Sequence, residues 1–478
     1  MLVVIPEMKF KMRILILTLS SLLSLLLLFI SSPASFQVVV TAVIKFVESI
    51  LIYLPLAAIG IWRWGVWLFK KSCAQFYTPV DAEIPPYHST LSIVTPVYNE
   101  SPKVFERALN SWQENSPNEL IAVIDQTDTS CIEIFREFSH NRSWARLIII
   151  AEPGKRRALS KGILEAKGKI VALVDSDTIW APNIRQKLLA PFRDPKIAGV
   201  TTKVHPIEIR SVWQKMTDIF WDIRNTLDMP SQSAEGETLS CLSGRTSLYR
   251  RDIILSKLDE FQNEILFGRR KESGEDKCLT RLIQKDRWRT YYQSNAEVYS
   301  EAALDFKTFW KQRLRWSRNT HNSDLTSLGD GWVWRHAFLT FFMLDRFISI
   351  FTIFIGPIFL GIALYLNHWI VALSIVLWWI LGRGIRILPH LRRRPKDIQV
   401  LPVYVAVNFL SGLIKLYALV TIREQKVIRG EVKEIANSRR RSSFIAIKDA
   451  VLTGGIISCL VIIFATVLRH LVSLTSNR

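Results

Sequence analysis

Apolar runs long enough to cross a bilayer stand on both sides of about 250 residues that lack them, and this arrangement constrains the fold more than any other feature. Ile14 to Ile30 is a seventeen-residue apolar run preceded by Lys9, Lys11 and Arg13. A second, about 49–69, is interrupted only by Arg63 and closed by Lys70 and Lys71. Each suffices for ~30 Å of hydrocarbon. Ser32, Pro33 and Ala34 offer the small residues of a leader-cleavage site, but the run before them is long for a leader's apolar core. Further on, Phe347 to Leu366 is a clean twenty-residue span, 369–382 is a shorter partner in which Arg383 snorkels, and Ala450 to Leu468 is another span. Basic clusters flank 401–422 on both sides, so one full crossing there conflicts with the charge rule. A re-entrant or interfacial helix is expected, with Pro402, Gly412 and Lys415 fitting a broken, partly polar segment. The chain thus divides into N-terminal transmembrane helices (1–84), a middle domain (85–335) and a C-terminal membrane region (336–478), with five spans, or six if 401–422 crosses.

A formal charge of +20 raises nucleic acid as a partner, so the placement of the basic residues matters. Residues 383 to 448 hold fifteen Lys and Arg against four acids, a net +11 and more than half the excess. Charge placed between apolar segments reads as membrane orientation first and anionic-lipid attraction second, and it argues against a nucleic-acid groove. Positive flanks before the first run and after the second put the middle domain in the cytoplasm. The 49% hydrophobic content is too high for an ordinary soluble chain. Five cysteines, Cys73, Cys131, Cys241, Cys278 and Cys459, show no CxxC pair and make a poor disulfide framework, which fits a reducing compartment.

In the middle domain, short apolar runs alternate with helical stretches, the pattern of an α/β fold with a mainly parallel sheet. Leu91 to Thr95, Ile121 to Ile124, Leu147 to Ile150 and Ile170 to Val174 read as strands. Functional residues in such sheets gather at the carboxyl ends of strands, and each of these four runs directly into polar residues: Pro96 to Glu100, Asp125, Glu152 to Arg156, and Asp175 to Asp177. In the last, a buried strand delivers two carboxylates with one small residue between them. Hard oxygen ligands so placed invite Mg²⁺ or Mn²⁺, which would neutralise charge on a departing nucleoside diphosphate. An Asx turn ending the strand is the plainer alternative.

Glu152-Pro153-Gly154-Lys155-Arg156-Arg157 puts a glycine and three cations just before a helix through Ala158 to Ala166, a combination suited to a diphosphate. The spacing is not that of a phosphate-binding loop of ATPases. Asp276, in Ser273-Gly274-Glu275-Asp276, precedes a helix beginning near Lys277. It is either an N-cap or a general base facing an acceptor hydroxyl. Gln312, Arg315 and Trp316 share one helix face, where amide, guanidinium and indole suit diphosphate and sugar-ring contact, or else an interfacial aromatic belt.

Taken in this order, the motifs resemble the processive membrane glycosyltransferases of family 2: hyaluronan, chitin and cellulose synthases and their bacterial relatives. The resemblance runs from about residue 40 to 430 and is nearest to hyaluronan synthases through 243–250 and 274–280. It implies a GT-A domain inserted between the transmembrane helices of a polytopic protein of the inner membrane. By the same resemblance Pro96, Tyr98, Glu100 and Asp125 would hold the nucleobase and ribose of a UDP-sugar, with Lys155 and Arg156 near the diphosphate. Asp175 would support the donor, Asp177 take the metal, Ser243 and Gly244 shape the acceptor pocket, and Asp276 act as base. Gln312, Arg315 and Trp316 match QxxRW, which implies Arg315 on the pyrophosphate and Trp316 under the acceptor sugar of a growing polysaccharide, with inversion at the anomeric carbon and export. Two departures stand out: 423–429 has no tryptophan where hyaluronan synthases carry a WGTR-like loop, and Arg245 stands in place of a common proline. Similar motifs occur in transferases that add one sugar to a membrane lipid.

Overall fold

A computed structural model describes residues 51–422 apart from 84, 153, 237, 267, 268 and 272, together with 37, 40 and 41. The apolar runs 14–30 and 450–468 and the stretch 423–429 lie outside the described residues. The chain divides into two compact units, Met1–Val66 and Trp67–Arg478. Helix α1 (Leu54–Gln75) begins in the first and ends in the second.

Aliphatic and β-branched runs build the central sheet. Its strands are β1 (Leu91–Val97), β2 (Glu119–Asp125), β3 (Ala145–Ile150), β4 (Ile170–Val174), β5 (Ile179–Trp180), β6 (Ile197–Pro206), β7 (Thr246–Arg250) and β10 (Arg289–Ser300), with a separate small hairpin of β8 (Ile265–Leu266) and β9 (Arg269–Arg270). Every residue of β2 and β4 is buried, as expected where both faces of a parallel sheet are covered. The order is β3-β2-β1-β4-β7-β6-β10-β5. Strands β1 to β4 pair in parallel, as predicted, whereas β7 is antiparallel to both β4 and β6. The sheet is therefore mixed. After β6 the chain stays at the carboxyl edge through α5 (Val212–Ile223) and enters β7 from there, which brings Thr246 opposite Val174. The loop before β7 is thereby set beside the end of β4.

Four more helices of the domain follow the sheet's logic: α2 (Pro102–Glu114), α3 (Thr129–Ser139), α4 (Lys155–Glu165), each after a parallel strand, and α6 (Glu275–Lys285), which leads to β10. The long α7 (Phe306–Gly329) then runs toward the membrane region. There α8 (Ala337–Thr352), α9 (Ile355–Tyr365), α10 (Trp369–Arg386) and α11 (Leu401–Val420) give three segments long and apolar enough to cross a membrane: Ala337–Tyr365, Trp369–Arg386 and Pro395–Val420. The first starts ten residues before the expected Phe347.

The third corrects the expectation of a broken segment, because α11 is one continuous twenty-residue helix. Pro402 sits in its first turn, where a missing N–H leaves no helical bond unmade. Gly412 is a packing residue: a Cβ there would lie 2.6 Å from Ile353 Cγ2.

A buried polar seam joins α5 to the segment after α10. His390 lies between Asp222 (2.6 Å) and Asp397 (3.1 Å), Arg393 spans Asp218 (2.8 Å) and Asp222 (2.5 Å), Arg394 reaches Asp218 (3.1 Å), and Lys215 reaches Asp397 (2.9 Å). Part of the basic excess therefore neutralises carboxylates of the middle domain.

Candidate active site

The four loops at the carboxyl edge converge. Asp175 ends β4, its N–H donating to Arg245 O (3.2 Å) and its carbonyl accepting from Thr178 N (3.0 Å). The indole of Trp112 donates to Thr178 O (3.0 Å), anchoring this turn to the core. The Ser176 hydroxyl donates to Glu100 Oε2 (2.8 Å), tying the loop after β1 to the carboxylate pair. Asp125 is buried at the end of β2, with one oxygen accepting from Thr127 N (2.9 Å) and Thr127 Oγ1 (2.6 Å). Pro96, Tyr98 and Glu100 line the same edge, each half-buried.

Lys155, the first residue of α4, bridges Asp175 Oδ1 (2.7 Å) and Glu275 Oε1 (2.5 Å). Burial pulls the amine down, but the two carboxylates outweigh it and raise its pKa. Burial likewise pushes the Glu275 carboxyl up, and the Lys155 charge and hydrogen bond reverse this, holding it well below the ordinary range. Glu275 is the residue that sequence reasoning missed; its only signal was its place in Gly274-Glu275-Asp276. Gly244 forms the floor. A Cβ there would lie 3.6 Å from Glu275 Oε1 and 3.7 Å from both Asp175 Oδ2 and Lys155 Nζ. Ser243 is buried beside it, donating its N–H to Thr201 Oγ1 (3.0 Å).

The N-cap of α6 is Gly274, in left-handed conformation at φ 79°, so Asp276 is not the cap. Asp276 accepts from Lys277 N (2.8 Å) and from Cys241 Sγ (3.4 Å) and is half-exposed between buried neighbours. Asp177 carries a contact from Thr178 Oγ1 (3.3 Å).

On α7, Trp316 packs against the core and faces Arg245, whose guanidinium lies 5.3 Å from the Trp316 ring centre and 4.3 Å from that of Trp221. The Arg315 charge is felt at both Glu275 and Arg245. Gln312 lies a turn earlier, half-buried.

One expected donor contact is not brought to the site. Arg156 is buried against Glu264 (2.6 Å), Phe261 O (2.8 Å) and Ser273 O (3.2 Å). Consecutive helix positions point about 100° apart, so when Lys155 faces the cleft Arg156 faces the core.

Two acid clusters offer themselves as cation sites. His205, Asp218 and Asp222 bring ligand atoms within 4.8 Å of one another. However, Arg393, Arg394 and His390 already neutralise those aspartates, so this set does not fit a metal. Asp175 and Asp177 offer oxygen donors at an open strand end beside a single lysine, and they fit Mg²⁺ or Mn²⁺.

A mixed sheet whose parallel half ends in this carboxylate pair, opposite an acidic helix N-terminus, is a GT-A-like half-barrel of the nucleotide-sugar transferase class. Residues 88–319 match the family profile described as "Glycosyltransferase like family 2". The chain thus carries a glycosyltransferase family 2 domain. It is 26% identical over 402 residues to a hyaluronan synthase of Streptococcus pyogenes, covering 79% of this chain and 93% of that one. It is also 26% identical to a type 2 glycosyltransferase of Zymoseptoria tritici, covering 70% and 74%. A mannosyltransferase from Pyrobaculum calidifontis, solved with GDP-Man and Mn²⁺, shares the fold at TM-score 0.50 and 16% identity, over 74% of this chain and 98% of that one.

Proposed function

We propose that this membrane protein transfers a sugar from a UDP-sugar onto a growing polysaccharide, with inversion and with export across the membrane that holds it. The convergence of Lys155, Asp175, Glu275 and Gly244 within 4 Å of one point, flanked by Asp276 and the Trp316 helix, carries the reading. Pro96, Tyr98, Glu100 and Asp125 bind the nucleoside, and Lys155 meets the diphosphate. Asp177, with Asp175 behind it, would hold Mg²⁺ or Mn²⁺, which when bound would supply positive charge opposite a diphosphate. Asp276 takes the proton of the acceptor hydroxyl. Ser243 and Gly244 shape the acceptor pocket, Trp316 offers it an aromatic platform, and Gln312 and Arg315 orient the diphosphate. The chain is multi-pass in the inner membrane with this domain cytoplasmic, and nucleic acid is not a partner. Kinship with hyaluronan synthases along most of the chain supports a polymer product.

The test is UDP or GDP release by detergent-purified protein with Mg²⁺ or Mn²⁺ over a panel of nucleotide sugars, with products sized and Asp276→Asn run alongside. A long product from a UDP-sugar, absent in the variant, is expected. A glycolipid bearing one sugar would replace the polymer reading, and turnover only with GDP-sugars would overturn the donor.

A further inference from the structure

We infer that Glu275 is a positioning residue that competes with the donor diphosphate for Lys155, so that nucleotide binding releases the helix carrying Asp276. This rests on the proposed function and extends it to the order of events.

A lysine at the first position of a helix is in the wrong place for the helix dipole, whose N-terminus favours anions. Lys155 occupies that position in α4, and Gly154 ahead of it, at φ 147°, contributes no capping side chain. Two carboxylate oxygens, at 2.7 and 2.5 Å, supply the missing negative charge. They come from different sides of the cleft: Asp175 from the donor-side strand β4 and Glu275 from the first turn of the base helix α6. A helix N-terminus with a lysine and a glycine before it is also where a diphosphate binds. In this structure that lysine is held instead by the Asp175 and Glu275 carboxylates.

The neighbouring residue shows which of the two grips is fixed. Arg156 also holds the approach to α6, through the carbonyl of Ser273 just before its cap, but its side chain is 4% exposed. The Lys155 side chain is 36% exposed and open to exchange of partners. When phosphate oxygens take Lys155, Glu275 loses its strongest partner while Arg156 keeps the base of the helix in place. The first turn of α6, and Asp276 in it, is then free to approach the acceptor. Deprotonation is thereby tied to the presence of donor.

The experiment measures UDP affinity calorimetrically with Mg²⁺ on detergent-purified full-length protein, beside steady-state kcat and KM. Glu275→Gln is expected to bind UDP about fivefold more tightly, the size of a partly exposed ion pair, while kcat falls at least tenfold. A merely structural role would not tighten binding. Unchanged or weaker UDP affinity in Glu275→Gln overturns the inference. Should that variant fail to fold, Glu275→Asp keeps the charge but shortens its reach and is expected to tighten UDP at least twofold; unchanged affinity again overturns it. Failure of the wild-type protein to bind UDP at all would instead sink the UDP reading itself.

Discussion

Replacing Arg156 with methionine separates two roles that adjacent cations of α4 play. Methionine keeps much of the aliphatic stem but removes the pair with Glu264 and the donors to Phe261 O and Ser273 O. Glu264 retains Arg281 at 2.9 Å and Lys271 at 3.6 Å, while two carbonyls lose a partner. Breaking a buried pair by removing one member costs about 3–5 kcal/mol, and the two remaining cations favour the lower end. At ~2–4 °C per kcal/mol for a domain of this size, Tm should fall by about 6–12 °C. The ionisation of Glu264 adds a pH dependence. Burial raises its carboxyl, but Lys271, Arg156 and Arg281 bring it from 4.5 to about 2. A depressed folded pKa means stability that is present above pH 4.5 and lost as pH falls toward 2, amounting to about 3 kcal/mol shared among the three cations. Melting followed by intrinsic fluorescence between pH 7 and pH 3 should therefore show a smaller acid-induced drop in the variant. Donor KM of the folded fraction should stay within about twofold, whereas Lys155→Met, at a more exposed side chain, should lower Tm less than Arg156→Met does and weaken donor binding about tenfold. A large rise in donor KM for Arg156→Met without a shift in Tm would refute this division and return Arg156 to the diphosphate.

Asp177→Asn should lower transfer at least a hundredfold while leaving metal-free UDP binding intact, read by turnover and calorimetry. Trp316→Ala should lower transfer about tenfold at saturating donor without raising donor KM, since the platform serves the acceptor. Asp218→Asn, which deprives Arg393 and Arg394 of a buried carboxylate, should lower Tm by about 6 °C or more with activity per folded molecule retained. Cysteines introduced singly at Lys396 and Arg423 should react with a membrane-impermeant maleimide only after cells are permeabilised. Labelling of one but not the other in intact cells would show the segment between them to cross.

What was legible in the sequence is what is decided locally. Four strands and the polar residues that end them follow from a few adjacent residues each, and the sheet places them on one edge. The Lys155–Glu275 pair was not legible because 120 residues separate its members and only the folded domain brings them together. Arg156 misled because a run of cations has no facing until its helix is seated on the sheet. Antiparallel β7 was missed for a similar reason: its direction depends on where α5 leaves the chain. In 401–422, proline and glycine read as breakers in one dimension, whereas position in the first turn and the approach of Ile353 explain both.

Continuity of α11 does not make it a crossing helix, and its neighbours favour the interface. Near its start, Tyr404 packs on Phe220 of α5, which in turn packs on Phe309 of α7 (5.7 and 6.5 Å between ring centres). Near its end, Lys415 O meets His321 (3.2 Å), Thr421 Oγ1 accepts from Arg318 (2.8 Å) and Ile422 O accepts from Asn322 (3.3 Å), all on α7. A twenty-residue helix is about 30 Å long, so a crossing would put these two ends on opposite membrane faces. Both ends instead touch helices of the catalytic domain, and α7 itself carries Arg313, Arg315, Arg318 and buried Asp324, too much charge to line a lipid-facing span. Gln312, Arg315 and Trp316 thus belong to a helix that α11 braces through Arg318, His321 and Asn322, and under the proposed function that bracing would hold the acceptor platform in place.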